Sequence, residues 1–151
     1  MSMTESLRSW RHLARRFWGS LSRAEPMAAD VEWAHRILLP AEAELWNRQP
    51  VQDRRHTVEV ARRFVSLAPD ATPSEVAGAL LHDIGKLEAG LGTFSRVVAT
   101  VVGPRTERFR KYHAHEPIGA RMLREAGSAE ATIDLVQGHG PRASTLRTAD
   151  G

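Results

Sequence analysis

The sequence contains no cysteine. That removes disulfides, thiolate metal ligands and a thiol nucleophile together. It fits a reducing compartment, and a cytoplasmic protein is expected. No apolar run approaches the ~20 residues of a membrane span. Charges interrupt the first segment every few residues, so no secretory apolar core is present. Lysine is nearly absent too: Lys86 and Lys111 are the only two, and arginine supplies the rest of the 21 basic residues. The formal net charge is only +3. The excess lies in residues 1–24, where Arg8, Arg11, Arg15, Arg16 and Arg23 face Glu5 alone. No basic stripe interleaved with aromatics follows in the remainder, which argues against a nucleic-acid partner. Strand pairs, hairpin turns, long repeats and low-complexity tracts are also missing.

What is present is helical periodicity. With 151 residues, of which 42% are apolar, the chain has material for one domain with one core. Residues 1–24 read as a basic amphipathic helix, with Leu7, Trp10, Leu13, Phe17 and Leu21 on one stripe. Such stripes usually pack on their own domain, and a membrane surface or partner is the alternative. Residues 25–151 form the domain proper. Helices are expected over 29–38, from Pro40 to Trp46, and from Val51 to Leu67. Thr72 is a candidate N-cap with Pro73 in the first helical position. The helix that follows carries Val76, Leu80, Ile84 and Leu87 at helical spacing, with Gly90 placed to end it. Residues 93–102 are β-branched, but a lone strand would have no partner, so a short helix is expected. Helices over 116–126 and 128–138 are divided by Gly127, and a last one covers 142–150. The fold class is all-α, a single bundle of roughly seven to nine helices.

Within the helix after Pro73, His82 and Asp83 stand in the otherwise apolar stretch AGALLHDIGK. An ionised Asp is rarely buried unless it is paired or bound to a cation. Imidazole and carboxylate together suit divalent first-row metals. Lys86 shares their helix face and can meet an anionic substrate group. A buried His–Asp pair with Lys86 as its salt-bridge partner is the plainer reading of these residues alone. Further along, His56, His115, His139 and Asp150 recur about one to a helix, as ligands do when a bundle core converges on a metal. Arg54 and Arg55 flank His56. One of them can fork onto a phosphate, and a solvated helix face is the equal alternative. His113 is a second possibility for the third-helix ligand, and His35 beside Trp33 reads as structural.

This ordered set resembles the HD superfamily, over about residues 50 to 150. The string His82-Asp83-Ile84-Gly85-Lys86 resembles its doublet segment. His115-Glu116-Pro117-Ile118-Gly119-Ala120 resembles its third-helix segment, in which a His precedes a small Gly-Ala pair. The resemblance implies metal ligation by His56, His82, Asp83 and Asp150. In two-metal members His115 and His139 would join them, with Asp83 bridging. It also implies one or two divalent transition ions (Mn, Fe, Co, Ni or Zn), and a small phosphorylated substrate, a nucleotide for choice, hydrolysed by a metal-activated water. On that expectation Asp83 and Lys86 are catalytic, and Lys86, Arg54 and Arg55 hold the substrate. The long His-His-Glu and Gly-Tyr-Pro motif of the cyclic-dinucleotide branch is absent. Two other readings share the same ligands: a di-iron oxygenase of the myo-inositol oxygenase type, and a degenerate regulatory or interaction domain.

Overall fold

The structure is a computed structural model; it describes residues 25–89 and 115–151, and the side chains of 25–87 and 118–151. The expected helices over residues 1–24 and 93–102, together with Gly90 and His113, lie outside the described residues. All described elements are helical: α1 (Ala28–Ile37), α2 (Pro40–Asn47), α3 (Val51–Leu67), α4 (Pro73–Leu81), α5 (Lys86–Ala89), α6 (His115–Glu125), α7 (Glu130–Val136) and α8 (Ala143–Asp150). None of them is long and apolar enough to cross a membrane.

The boundaries follow local chemistry. Pro50 precedes α3, and Pro40 and Pro73 open α2 and α4, where their missing N–H costs no helical bond. Thr72 caps α4 as anticipated: its hydroxyl accepts from the Glu75 N–H at 3.2 Å, and the Glu75 carboxylate accepts from the Thr72 N–H at 2.9 Å. At the start of α2 the buried Glu42 carboxylate accepts from the Leu39 N–H at 2.8 Å. Between α6 and α7 the chain turns through Gly127 at φ +78°, a conformation open chiefly to glycine.

Helix α4 is the axis of the bundle. Every residue from Val76 to Leu81 is buried, because α1, α2, α3 and α7 all pack around it. A helix that is apolar all round belongs in the middle of a core. Gly78 lets α7 come close, since a Cβ there would stand 3.0 Å from the Leu135 side chain. Thr132 on α7 donates to the Ser74 carbonyl at 2.8 Å and sets the register of that contact. Helix α3 lies against α4 through Val58, Ala61 and Phe64, and α8 lies against α3 in turn. Trp46 of α2, fully buried, donates its indole N–H to Thr57 at 3.1 Å, the residue beside His56.

One element differs from the sequence expectation. The helix of Pro73 does not run on through Ile84 and Leu87 but stops at Leu81. Residues 82–85 form a tight turn before α5, with Ile84, Lys86 and Leu87 each bonding back three residues rather than four, at 2.9, 3.0 and 3.1 Å. The turn keeps Ile84 fully buried while it sets His82 and Asp83 at the end of the helix.

Candidate metal centre

Three separate parts of the chain meet at the C-terminal end of α4. His56 comes from α3, His82 and Asp83 from the turn after α4, and Asp150 from the last position of α8. His56 Nε2 donates to Asp150 Oδ1 at 2.9 Å. His82 Nε2 lies 3.5 Å from the same Asp150 oxygen and 3.6 Å from Asp83 Oδ2. Ligand atoms of His56, His82 and Asp83 all fall within 4.8 Å of one another, the one such grouping among the described residues. Ligands sharing an ion sit ~2.1 Å from it, and so roughly 3–4 Å apart. The grouping is looser than a filled site but close enough that it could hold one cation.

The two nitrogens of His82 have different fates. Nδ1 donates to the Ala79 carbonyl at 2.7 Å, one helical turn back. Nε2 is buried and has no hydrogen-bond partner among the described residues. A backbone acceptor on one ring nitrogen fixes the tautomer that presents the other nitrogen's lone pair to a metal. An orphaned, buried acceptor directed at two carboxylates is the local observation that fits a cation. Two nitrogens and two oxygens form a donor set of intermediate hardness, suited to first-row divalent ions.

The electrostatics agree. Burial works against charge on His82, yet the carboxylates of Asp83 and Asp150 outweigh it and raise its pKa to about 9. Burial likewise opposes ionisation of Asp83, but His82 and Lys86 hold its carboxyl well below the usual range. Asp150, also partly desolvated, is held low by His56 and His82. Carboxylates packed against imidazoles in this way require positive charge at their centre, supplied by a proton or by a metal cation.

Beside the ligands lies a cleft of about 110 Å³. His82, Asp83 and Asp150 form its polar side, Leu135 and Leu146 an apolar wall, and Arg147 completes it. Sequence reasoning passed over Arg147. The available signal was its position three residues before Asp150, which puts both on one face of α8.

The other expected site residues fall as follows. Lys86 donates to Asp83 Oδ2 at 2.6 Å, the salt-bridge pairing foreseen as the plainer reading. Arg54 is drawn elsewhere: its guanidinium lies 5.8 Å from the Trp46 ring centroid and 3.3 Å from Glu25, and it does not line the cleft. Arg55 is half-buried on α3 and does not line the cleft either. His139 is exposed in the turn after α7, between Gly138 and Gly140 at positive φ, and is not among the converging ligands. His115 begins α6, and its side chain lies outside the described residues. The structure therefore brings together His56, His82, Asp83 and Asp150. The second-metal set of His115 and His139 rests on the sequence resemblance.

The family model described as HD domain matches residues 54–148, well over half of the chain. The chain belongs to the HD-domain family, whose members are mostly metal-dependent hydrolases of phosphate compounds. No curated protein and no solved structure matches it.

Proposed function

We propose that this protein is a metal-dependent phosphohydrolase acting on a small phosphate ester such as a nucleotide. The observation that carries the reading is the buried, unpartnered Nε2 of His82, facing the carboxylates of Asp83 and Asp150 with His56 alongside. These four side chains would hold the ion. When bound, the ion supplies a water acidic enough to serve as nucleophile near neutral pH.

The chain's own residues arrange the rest. Ala79 locks the His82 ring through Nδ1. Lys86 keeps Asp83 ionised and fixes the direction of its carboxylate. Leu135 and Leu146 lower the local dielectric and limit water on one side of the cleft, which strengthens every charge interaction inside it. Hydrolysis by a water so supplied would need no protein nucleophile, and the absence of cysteine is no obstacle.

The test is elemental analysis of protein purified without chelator, followed by phosphate release from p-nitrophenyl phosphate and a panel of nucleoside monophosphates. Bound manganese, cobalt or another divalent ion with metal-dependent phosphate release is expected, both lost in His82→Ala. Metal-loaded protein that releases no phosphate from any of them overturns the reading. Two irons with oxygen uptake would establish the oxygenase instead. Protein that takes up no metal even on reconstitution would establish a regulatory or interaction domain.

A further inference from the structure

His82 and Asp83 sit on a turn and Asp150 at a helix end, but His56 has helix on both sides of it, in the second turn of α3. Its aim therefore depends on how α3 is rotated about its own axis. The start of the helix does little to fix that rotation. Pro50 offers no side-chain cap, and every residue from Val51 to His56 is only partly buried. Full burial begins at Thr57. The Thr57 hydroxyl is engaged twice: it accepts from the indole N–H of Trp46 on α2 at 3.1 Å and donates to the Arg54 carbonyl at 3.1 Å. The Arg54 guanidinium in turn lies 5.8 Å from the centroid of the Trp46 ring. One fully buried indole thus grips two residues of α3 that lie three positions apart on one face. At ~100° per residue, His56 points about 100° away from Thr57 and about 160° away from Arg54. We propose that Trp46 and Thr57 form a pin that sets the rotation of α3 and so aims His56 at the metal centre; both are positioning residues for a divalent cation.

The geometry makes rotation decisive. Side-chain atoms stand roughly 5–6 Å from a helix axis, so a turn of about 10° carries them ~1 Å. Ligand distances tolerate only about 0.2 Å. Val58, Ala61 and Phe64 also hold α3 to the core, but apolar contact has no preferred direction. A hydrogen bond weakens steeply when its angle is lost. The chemistry of the pair points the same way. Valine at position 57 would fill the same space, yet it would strand the indole N–H in the core. A threonine hydroxyl and an indole N–H, each spent on the other inside an apolar core, give α3 a directional contact that packing alone does not.

The inference rests on the metal centre of the reading above, and the experiment separates the two. Manganese(II) is titrated calorimetrically into wild type, Thr57→Val, Thr57→Ser and Trp46→Phe, well below every melting temperature. Metal-free melting curves are recorded on the same samples. Thr57→Val and Trp46→Phe should bind the ion about tenfold more weakly, the lower end of what residues that orient a ligand contribute. Thr57→Ser keeps the hydroxyl and should stay within about twofold of wild type. A merely structural role would lower the metal-free melting temperature of the variants and leave their affinity unchanged, since all remain folded during the titration. That result overturns the pin and leaves the phosphohydrolase reading standing. Thr57→Ser as weak as Thr57→Val also overturns it, because the hydroxyl would then not be the operative group. If Thr57→Val fails to fold, Trp46→Phe decides: wild-type affinity without the indole N–H overturns the proposal. Wild type that takes up neither manganese nor cobalt nor zinc overturns the metal centre and the pin together.

Discussion

At the residue scale, the centre is distinguished by what each side chain is denied. His82 has a carbonyl for one nitrogen and, among the described residues, only carboxylates beyond hydrogen-bond reach for the other; Asp83 is buried with a lysine and imidazoles for company. Replacing either should empty the site, because the remaining ligands cannot neutralise each other. Asp83→Ala and His82→Ala are each expected to reduce bound metal from about one equivalent to less than a tenth on elemental analysis. His35→Ala should retain it: His35 is an exposed residue that bonds Asn47 at 3.0 Å, packs edge-on to Trp46 and is not in the His56–His82–Asp83 grouping. Equal loss in all three would show a folding defect instead of a metal site. The pH dependence has a definite sign. With its pKa raised from 6.5 to about 9, His82 stabilises the metal-free fold below pH 6.5 and loses that contribution as pH rises through 9. The carboxyls of Asp83 and Asp150, held below their ordinary 3.8, contribute above that value and fail only in strong acid. Metal-free protein should therefore melt at lower temperature at pH 9 than at pH 6.5. Metal-loaded protein should lose much less, because a cation replaces the proton, and its loading should tighten over the same interval as that proton leaves. Melting curves of both forms across pH 6–9 check this; parallel curves would contradict it.

At the element scale, much of the fold was legible because proline, capping residues and glycine mark boundaries independently of packing. Pro40, Pro50 and Pro73, the Thr72–Glu75 cap and Gly127 stand where the sequence put the ends of helices. The break after Leu81 was not legible. Ile84 and Leu87 continue the helical period, and a turn built on three-residue bonds keeps apolar residues nearly in phase. What holds this turn is Gly119 of α6. A Cβ there would meet Ile84 Cγ2 at 3.2 Å, the backbone N of Gly85 at 3.3 Å and Val136 Cγ1 at 3.3 Å. The small Gly-Ala pair noted in the sequence thus has a physical reason: a bare Cα lets α6 lie closely on the turn that carries His82 and Asp83, which a methyl would press by a few tenths of an ångström. Gly119→Ala gains helix propensity of up to about 1 kcal/mol. Overpacking costs roughly 1–3 kcal/mol, and backbone on one side limits relief. The net expectation is a loss of about 1 kcal/mol in urea denaturation, with weaker metal retention because His82 and Asp83 ride on the displaced turn. A variant more stable than wild type would show that the turn yields freely.

At the scale of the whole molecule, the candidate ligands come from distant parts of the chain: His56 and Asp150 are 94 positions apart and bonded at 2.9 Å. Sequence order could single them out as candidates because a possible ligand recurs about once per helix, but the same pattern also named His139, which stays exposed. It could not show that Arg54 would turn to Trp46 or that Arg147 would reach the cleft, since both depend on how α3 and α8 rotate on packing. Metal binding should consequently act as a cross-link between α3, the turn after α4 and α8. An ion that binds only the folded chain stabilises it by RT ln(1 + [L]/Kd), about 2.7 kcal/mol at a free concentration one hundred times Kd. For a chain of this length each kcal/mol moves the midpoint by roughly 2–4 °C. Chelation should then lower the melting temperature by about 5–10 °C, and Asp150→Ala should melt near the chelated wild type whether or not metal is added. The variant also discriminates between two roles for Asp150. If it served only as the hydrogen-bond acceptor of His56, its loss would lower stability and leave the metal-induced shift intact. If it ligates the ion at the end of α8, the shift itself disappears, while Leu146 and Ala149 still pack α8 into the core.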